Sequence, residues 1–184
     1  MHADTATAEQ PLAALLRERI AIDEAGLGNM WPVFYDSALF ARVVDELAAP
    51  FAGGAVDKIA GIESRGFLLG AAVAARLRVG FVAIRKSEGL YPGETFDADT
   101  SADYRGRRHT FRLQCAAISD GERVGLVDDW FETGSQGRIA RELVERAGAT
   151  YAGASIIVDQ LPTEVRRVLE PCHALVSARE LNFP

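Results

Sequence analysis

The chain is poor in lysine, histidine, cysteine and long apolar runs, and each shortage closes off a class of function. Lys58 and Lys86 are its only lysines; the 20 basic residues face 26 acidic ones, for a formal net charge of -6. Nucleic-acid binding rests on clustered cations that displace counterions, so a chain this acidic is not expected to act on DNA or RNA. His2, His109 and His173, with Cys115 and Cys172, are scattered without ligand spacing, which gives neither a dedicated metal cage nor a disulfide framework. The cysteines read as reduced thiols. No apolar run approaches the roughly 20 residues of a membrane span. The first ten residues have neither the basic stretch nor the apolar core of an export signal, so a cytoplasmic location is expected.

What the chain does have is enough apolar residue, 48% of 184, to bury a substantial core in one domain covering 1–184. Residues 1–8 read as a disordered tail. Apolar periodicity predicts a helix over 10–25, ended by Gly26-Leu-Gly-Asn29, and a second helix capped by Ser37, with Leu39, Val43, Val44 and Leu47 as its stripe and Pro50 as its stop. Strands are expected at 58–62, 81–84, 110–114, 154–158 and 174–176, with helices at 66–77 and 136–147. Residues 85–108 are polar, lack an apolar period and read as a loop, which at that length is usually functional. Strands alternating with helices predict an α/β fold with an open, mostly parallel twisted sheet flanked by helices, its ligands at the carboxyl ends of the strands.

The most informative run is Val124-Gly-Leu-Val-Asp-Asp-Trp-Phe-Glu-Thr-Gly-Ser-Gln136. It reads as a buried strand delivering Asp128 and Asp129 to the edge of a sheet. Thr133-Gly134-Ser135 then offers amides and hydroxyls where a helix begins, a setting suited to phosphate. The plainer alternative is a tight turn whose acids cap the helix. A Gly-x-x-x-x-Gly-Lys-Ser/Thr run, which nucleotide hydrolases need, does not occur. Two further segments repeat the pattern of strand followed by charged turn: Gly61-Ile-Glu-Ser-Arg-Gly-Phe-Leu-Leu-Gly70, and Arg85-Lys86 directly after the strand at 81–84.

The first run resembles the phosphoribosyl-pyrophosphate (PRPP) signature of the type I phosphoribosyltransferases. The second resembles the Gly-Ile-Glu-Ala-Arg-Gly-Phe segment of the adenine phosphoribosyltransferases, and the Arg-Lys pair follows in the same order, so that the likeness spans about residues 36–160. It implies transfer of the 5-phosphoribosyl group of PRPP to a purine-type base, with release of pyrophosphate and help from Mg2+. It also implies a homodimer whose partners are PRPP and a nucleobase, with no nucleic acid or membrane. By this resemblance Asp128 and Asp129 handle the ribose hydroxyls, with magnesium held through PRPP rather than by a protein cage, and Thr133, Gly134, Ser135 and Gln136 take the 5′-phosphate. Glu63, Ser64, Arg65 and Gly66, in a turn that often contains a cis peptide in relatives, receive pyrophosphate with Arg85 and Lys86. A hood at 26–36 and a mobile catalytic loop at 85–109 complete the site.

The chain departs from these relatives in ways that bear on the base. Glu132 stands where adenine enzymes usually carry a small residue and the hypoxanthine-guanine and xanthine-guanine enzymes carry Asp, which makes it a candidate general base. Asp103, with Tyr104 beside it, falls where adenine enzymes have the loop Glu that assists at the purine. The lysine that follows the Arg-Lys pair in relatives is missing, so that contact is either lost or supplied by Arg105, Arg107 or Arg108. Trp31 and Phe34 in the hood, and Trp130 and Phe131 beside the acids, are candidates to stack on the base. Two alternatives stay open: the same chemistry on an unusual or non-purine base in a dedicated pathway, or a catalytically silent PRPP-binding regulator.

Overall fold

The structure is a computed structural model that describes residues 10–22, 28–86, 91–100 and 109–183. Its centre is a seven-stranded sheet of order β5-β6-β4-β3-β7-β8-β9. The strands are β3 (Lys58–Ile62), β4 (Gly80–Lys86), β5 (Thr95–Asp99), β6 (Thr110–Gln114), β7 (Arg123–Phe131), β8 (Thr150–Asp159) and β9 (Cys172–Ser177). β4, β3, β7, β8 and β9 run parallel, while β6 pairs antiparallel with β4 and β5 with β6. A separate two-stranded hairpin, β1 (Ala21–Ile22) and β2 (Gly28–Asn29), lies near the N-terminal end.

The central strands are buried on both faces, as a parallel sheet between helices requires. Alternate residues point opposite ways along each strand. Ile59, Val127, Ile157 and Val176 therefore join one apolar cluster, with α1 (Leu12–Arg19), α3 (Ser37–Ala48) and α4 (Arg65–Leu77). Ala60, Ile62, Val82, Leu126 and Ile156 join the other, with Ile139, Leu143 and Val144 of α5 (Ser135–Arg146). The remaining helices are short: α2 (Trp31–Tyr35) and α6 (Thr163–Val168).

Three expectations change. The first helix stops at Arg19 because the chain enters β1 at Ala21. The cap of α3 is Asp36 rather than Ser37, its Oδ1 accepting from the amides of Ala38 and Leu39 at 3.0 Å each. A carboxylate one residue earlier reaches the same free amides and adds a negative charge at the positive helix end. Such a cap is worth ~1 kcal/mol, whereas each fully buried Leu or Val contributes ~1.5–3 kcal/mol, so the stripe of Leu39, Val43 and Leu47 dominates. Third, the polar stretch after Ile84 is not all loop. β4 runs on through Arg85 and Lys86, and Thr95–Asp99 forms an edge strand whose Ala98 is buried while Asp97 faces out.

Candidate active site

The carboxyl ends of β3, β4, β7 and β8 border a cavity of about 560 Å³. Its lining includes Glu63, Ser64 and Arg65 after β3, Lys86 at the end of β4, and every residue from Asp128 to Gly137. The three segments singled out in the sequence thus meet around one space, because parallel strands send all their following turns to the same edge.

Asp128 and Asp129 lie within β7, each 6% exposed. Asp128 Oδ1 accepts the amide of Asp129 at 2.9 Å. Burial, and then the neighbouring charge of Asp129, push the Asp128 carboxyl well above its ordinary range. Burial raises Asp129 too, opposed chiefly by the guanidinium of Arg65, whose Nε stands 2.7 Å from Asp129 Oδ2. Beyond this ion pair that buried oxygen has no hydrogen-bond partner among the described residues, so a lone pair remains for a hydroxyl or a cation. Gly66 opens the space for this arrangement: a Cβ there would sit 2.8 Å from Asp128 Oδ1.

The following loop is shaped by Gly134. Its φ is 70°, and a Cβ would meet Val165 Cγ1 at 2.4 Å and Leu161 Cδ2 at 2.8 Å, so neither the backbone nor the space admits a side chain. Gly134 is the N-cap of α5 and makes no side-chain cap. Asp128 and Asp129 do not cap the helix either, which sets aside the plainer reading of the turn. Thr133 Oγ1 accepts the Ser135 amide at 3.3 Å, and Glu132, Thr133 and Gln136 are exposed along the cavity.

Across the cavity the Glu63–Ser64 peptide is cis. The Glu63 carboxylate accepts the amide of Lys86 at 3.0 Å and lies 3.5 Å from Arg85 Nε, tying the turn after β3 to the end of β4. Arg85 is not among the residues lining the cavity; Lys86 is.

The aromatic candidates separate. Trp130 lines the cavity. Phe131 borders it, but the residue is 2% exposed and its ring packs into the core beside Gly137, where a Cβ would stand 3.0 Å from Cζ. Trp31 and Phe34 sit in α2 with ring centroids 5.6 Å apart and planes tilted by 52°, Phe34 is 5.5 Å from Phe40, and neither lines the cavity. Asp103 and Tyr104, and with them Arg105, Arg107 and Arg108, lie outside the described residues. Gly28, within the hood expected at 26–36, lines the cavity, while Gln160 and Phe183 line it without having been anticipated. Gln160 follows β8 directly, and the rule that ligands gather at carboxyl strand ends would have found it; Phe183 comes from the far end of the chain and carries no local signal.

The donor set fits magnesium only as a partial shell. Two adjacent carboxylates are present, and no group of three His, Cys, Asp or Glu gathers among the described residues. Magnesium bound by one or two carboxylates keeps water and substrate oxygens as its other ligands, which is compatible with this pair.

No family model matches the chain. The similar curated proteins are adenine phosphoribosyltransferases: that of Dinoroseobacter shibae is 42% identical over 79% of this chain and 82% of its own length. That of Maricaulis maris is 43% identical over 67% and 69%. Among solved structures, adenine phosphoribosyltransferase of Saccharomyces cerevisiae, complexed with an imino-altritol bisphosphate and adenine, superposes with a TM-score of 0.79 at 31% identity, covering 89% of this chain and 98% of its own. The enzyme of Thermoanaerobacter pseudethanolicus gives 0.79 at 29%, covering 90% and 99%. With acids, a glycine-bearing loop at a helix start and basic turns gathered at one sheet edge, and likeness of this extent, the chain belongs to the adenine phosphoribosyltransferase family, PRPP-dependent enzymes that transfer a phosphoribosyl group to a purine base.

Proposed function

We propose that this cavity binds PRPP and a purine, adenine being the first candidate because the relatives are named for it, and joins the base to the anomeric carbon as pyrophosphate leaves. The observation that carries the reading is the convergence of residues 63–65, Lys86 and 128–137 on one space of about 560 Å³. The 5′-phosphate fits the start of α5, where Thr133, Gly134, Ser135 and Gln136 offer backbone amides and hydroxyl groups to an anion. Asp128 and Asp129 steady the ribose hydroxyls and favour the positive charge that develops on the ring as the glycosidic bond breaks.

Pyrophosphate falls to the turn Glu63, Ser64, Arg65 and Gly66, with Lys86 facing it from β4. Arg85, paired with Glu63, positions that turn. When bound, magnesium supplies positive charge to the pyrophosphate oxygens, and Asp128 and Asp129 are the residues to hold it through PRPP. Glu132, exposed on the cavity, takes the proton from the ring nitrogen that attacks. Trp130 supplies an aromatic face for the base. Asp103 and Tyr104 remain part of the proposal as loop residues of a single domain, with closure left to the stretches of 85–109 outside β4 and β5. Work in the cytoplasm as a homodimer belongs to the same reading, supported by family membership; among the described residues no helix is long and apolar enough to cross a membrane.

The test is incubation with PRPP and Mg2+ against a panel of purines and non-purine bases, following pyrophosphate release and nucleotide formation. Nucleotide from a purine is expected. PRPP binding without product from any base would instead favour a silent PRPP-binding regulator, and product from non-purines alone a dedicated pathway. Asp128→Asn with Asp129→Asn should abolish turnover in a protein that keeps its circular dichroism spectrum.

A further inference from the structure

Trp130 is held from three sides. Its Nε1–H donates to Gln160 Oε1 at 2.9 Å in a half-buried setting. Its ring meets Phe183 edge-on, centroids 4.8 Å apart at 62°. On a third side the β2 backbone comes so close that a Cβ on Gly28 would stand 2.6 Å from Trp130 Cζ3. All four residues line the cavity.

The chemistry of the first contact has one solution. An indole nitrogen only donates, so the Gln160 atom facing it must be the oxygen. With that N–H engaged, Trp130 presents hydrocarbon and π surface to the cavity and no uncommitted polar atom. The backbone that carries Gln160 is itself fixed: its main-chain N–H donates to Phe131 O at 2.9 Å, one residue beyond the β7–β8 ladder that ends at Phe131 and Asp159. Phe183 and Gly28 limit where the ring can go, while the hydrogen bond sets its rotation about the side-chain torsions.

We infer that Gln160 is a positioning residue for base recognition, acting through Trp130: its side-chain oxygen holds the indole at the angle from which it faces the base. The inference rests on the reading above that the base lies against Trp130. It adds that the discriminating polar contacts come from other groups. Stacking on an aromatic face is tolerant of ring substituents. Loosening Trp130 therefore weakens 6-amino- and 6-oxopurines alike.

The experiment uses Trp31→Phe protein, in which Trp130 is the sole tryptophan, and compares Gln160→Leu with Gln160→Glu, which keeps an oxygen acceptor. Gln160→Leu is expected to raise the KM for each accepted purine about five- to tenfold, the loss of one hydrogen bond's hold. The KM for PRPP stays unchanged, kcat changes by less than about twofold, and Trp130 fluorescence shifts. Gln160→Glu restores the parent KM. In a Trp130→Phe background Gln160→Leu raises the base KM by clearly less than it does in the parent, because the indole donor is gone. Gln160→Met replaces the leucine variant should that fail to fold.

An unchanged base KM, an equal loss in the Trp130→Phe background, or unequal losses for amino- and oxopurines would each overturn the inference, the last by showing that Gln160 reads the base directly. If the parent turns over no purine, the functional reading fails separately. The positioning role is then decided by quenching of Trp130 on titration with bases, and identical emission and quenching in Gln160→Leu would reject it.

Discussion

Arg65 Nε lies 2.7 Å from Asp129 Oδ2, joining the first residue of α4 to the inner edge of β7. The two residues belong to segments 64 positions apart that were assigned to different halves of one substrate, and here they share charge. The carboxylate side chain is 9% exposed and the guanidinium 32%, so solvent screens the pair only in part.

Removing this cation has two expected effects. Arg65→Ala lowers kcat/KM for PRPP by about 10²–10³, the usual cost of deleting one donor aimed at developing negative charge. It also raises the Asp129 carboxyl further, because the guanidinium is the main influence opposing burial. The acidic limb of the kcat/KM profile against pH accordingly moves to higher pH. A profile whose limb does not move would separate Arg65 from the ionisation of Asp129.

Asp128 gives a stability prediction of opposite sense to the activity one. Its folded-state pKa is raised by burial and by Asp129, so the folded protein binds this proton more tightly than the unfolded chain. Stability is therefore lost as pH rises from the unfolded carboxyl range, about 4, through the higher folded value, and nothing is lost below it. Asp128→Asn, which still offers an oxygen to the Asp129 amide, removes that loss. In metal-free buffer it is expected to melt higher than the parent at pH 7, by about 2–4 °C for each kcal/mol recovered, and to match the parent near pH 3.5, while turnover disappears. A Tm at pH 7 equal to or below that of the parent would contradict the burial argument.

Gly134→Ala tests the loop that begins α5. A side chain there must adopt φ near 70° and displace Val165 and Leu161. Gly121 has φ 79° with nothing within 4 Å of its Cβ position, so Gly121→Ala carries the backbone strain alone, about 1 kcal/mol. Gly134→Ala is expected to unfold at clearly lower denaturant than Gly121→Ala and to raise the KM for PRPP at least tenfold. Equal midpoints for the two would show that the contacts of Gly134 yield without cost.

Glu132 is exposed and touches no core cluster, so its replacement should leave melting unchanged. Glu132→Gln is expected to lower kcat by about 10²-fold through loss of general-base assistance. Activity unchanged with every accepted base would remove Glu132 from the mechanism and leave proton transfer to the 85–109 loop.

The parallel core was readable because its strands are continuous apolar runs: 58–62 was placed without error, and 81–84 and 154–158 fell inside the longer β4 and β8. β5 was missed. An edge strand of Thr-Phe-Asp-Ala-Asp buries one alanine and exposes two acids, so its alternation is too weak to stand out from a polar stretch. The sequence points to Ser37 as the cap and the structure uses Asp36, because both residue types suit that position and one residue of offset has no apolar signature.

The sequence alone determined the order of the parallel strands and of the four longer helices, the two charged turns and the acidic pair, because each is a local pattern of apolar period followed by glycine, carboxylate or guanidinium. It could not determine which aromatic faces the ligand. Trp31, Phe34, Trp130 and Phe131 have equal claims as residues, and their placement divides them: Phe131 turns into the core, Trp31, itself exposed, and Phe34 lie in α2 away from the cavity, and Trp130 alone of the four keeps its ring at the cavity with Gln160 and Phe183 around it. That division is a matter of tertiary structure, since Gly28, Trp130, Gln160 and Phe183 are separated along the chain and meet only when the hairpin and the C-terminal residues close against the ends of β7 and β8.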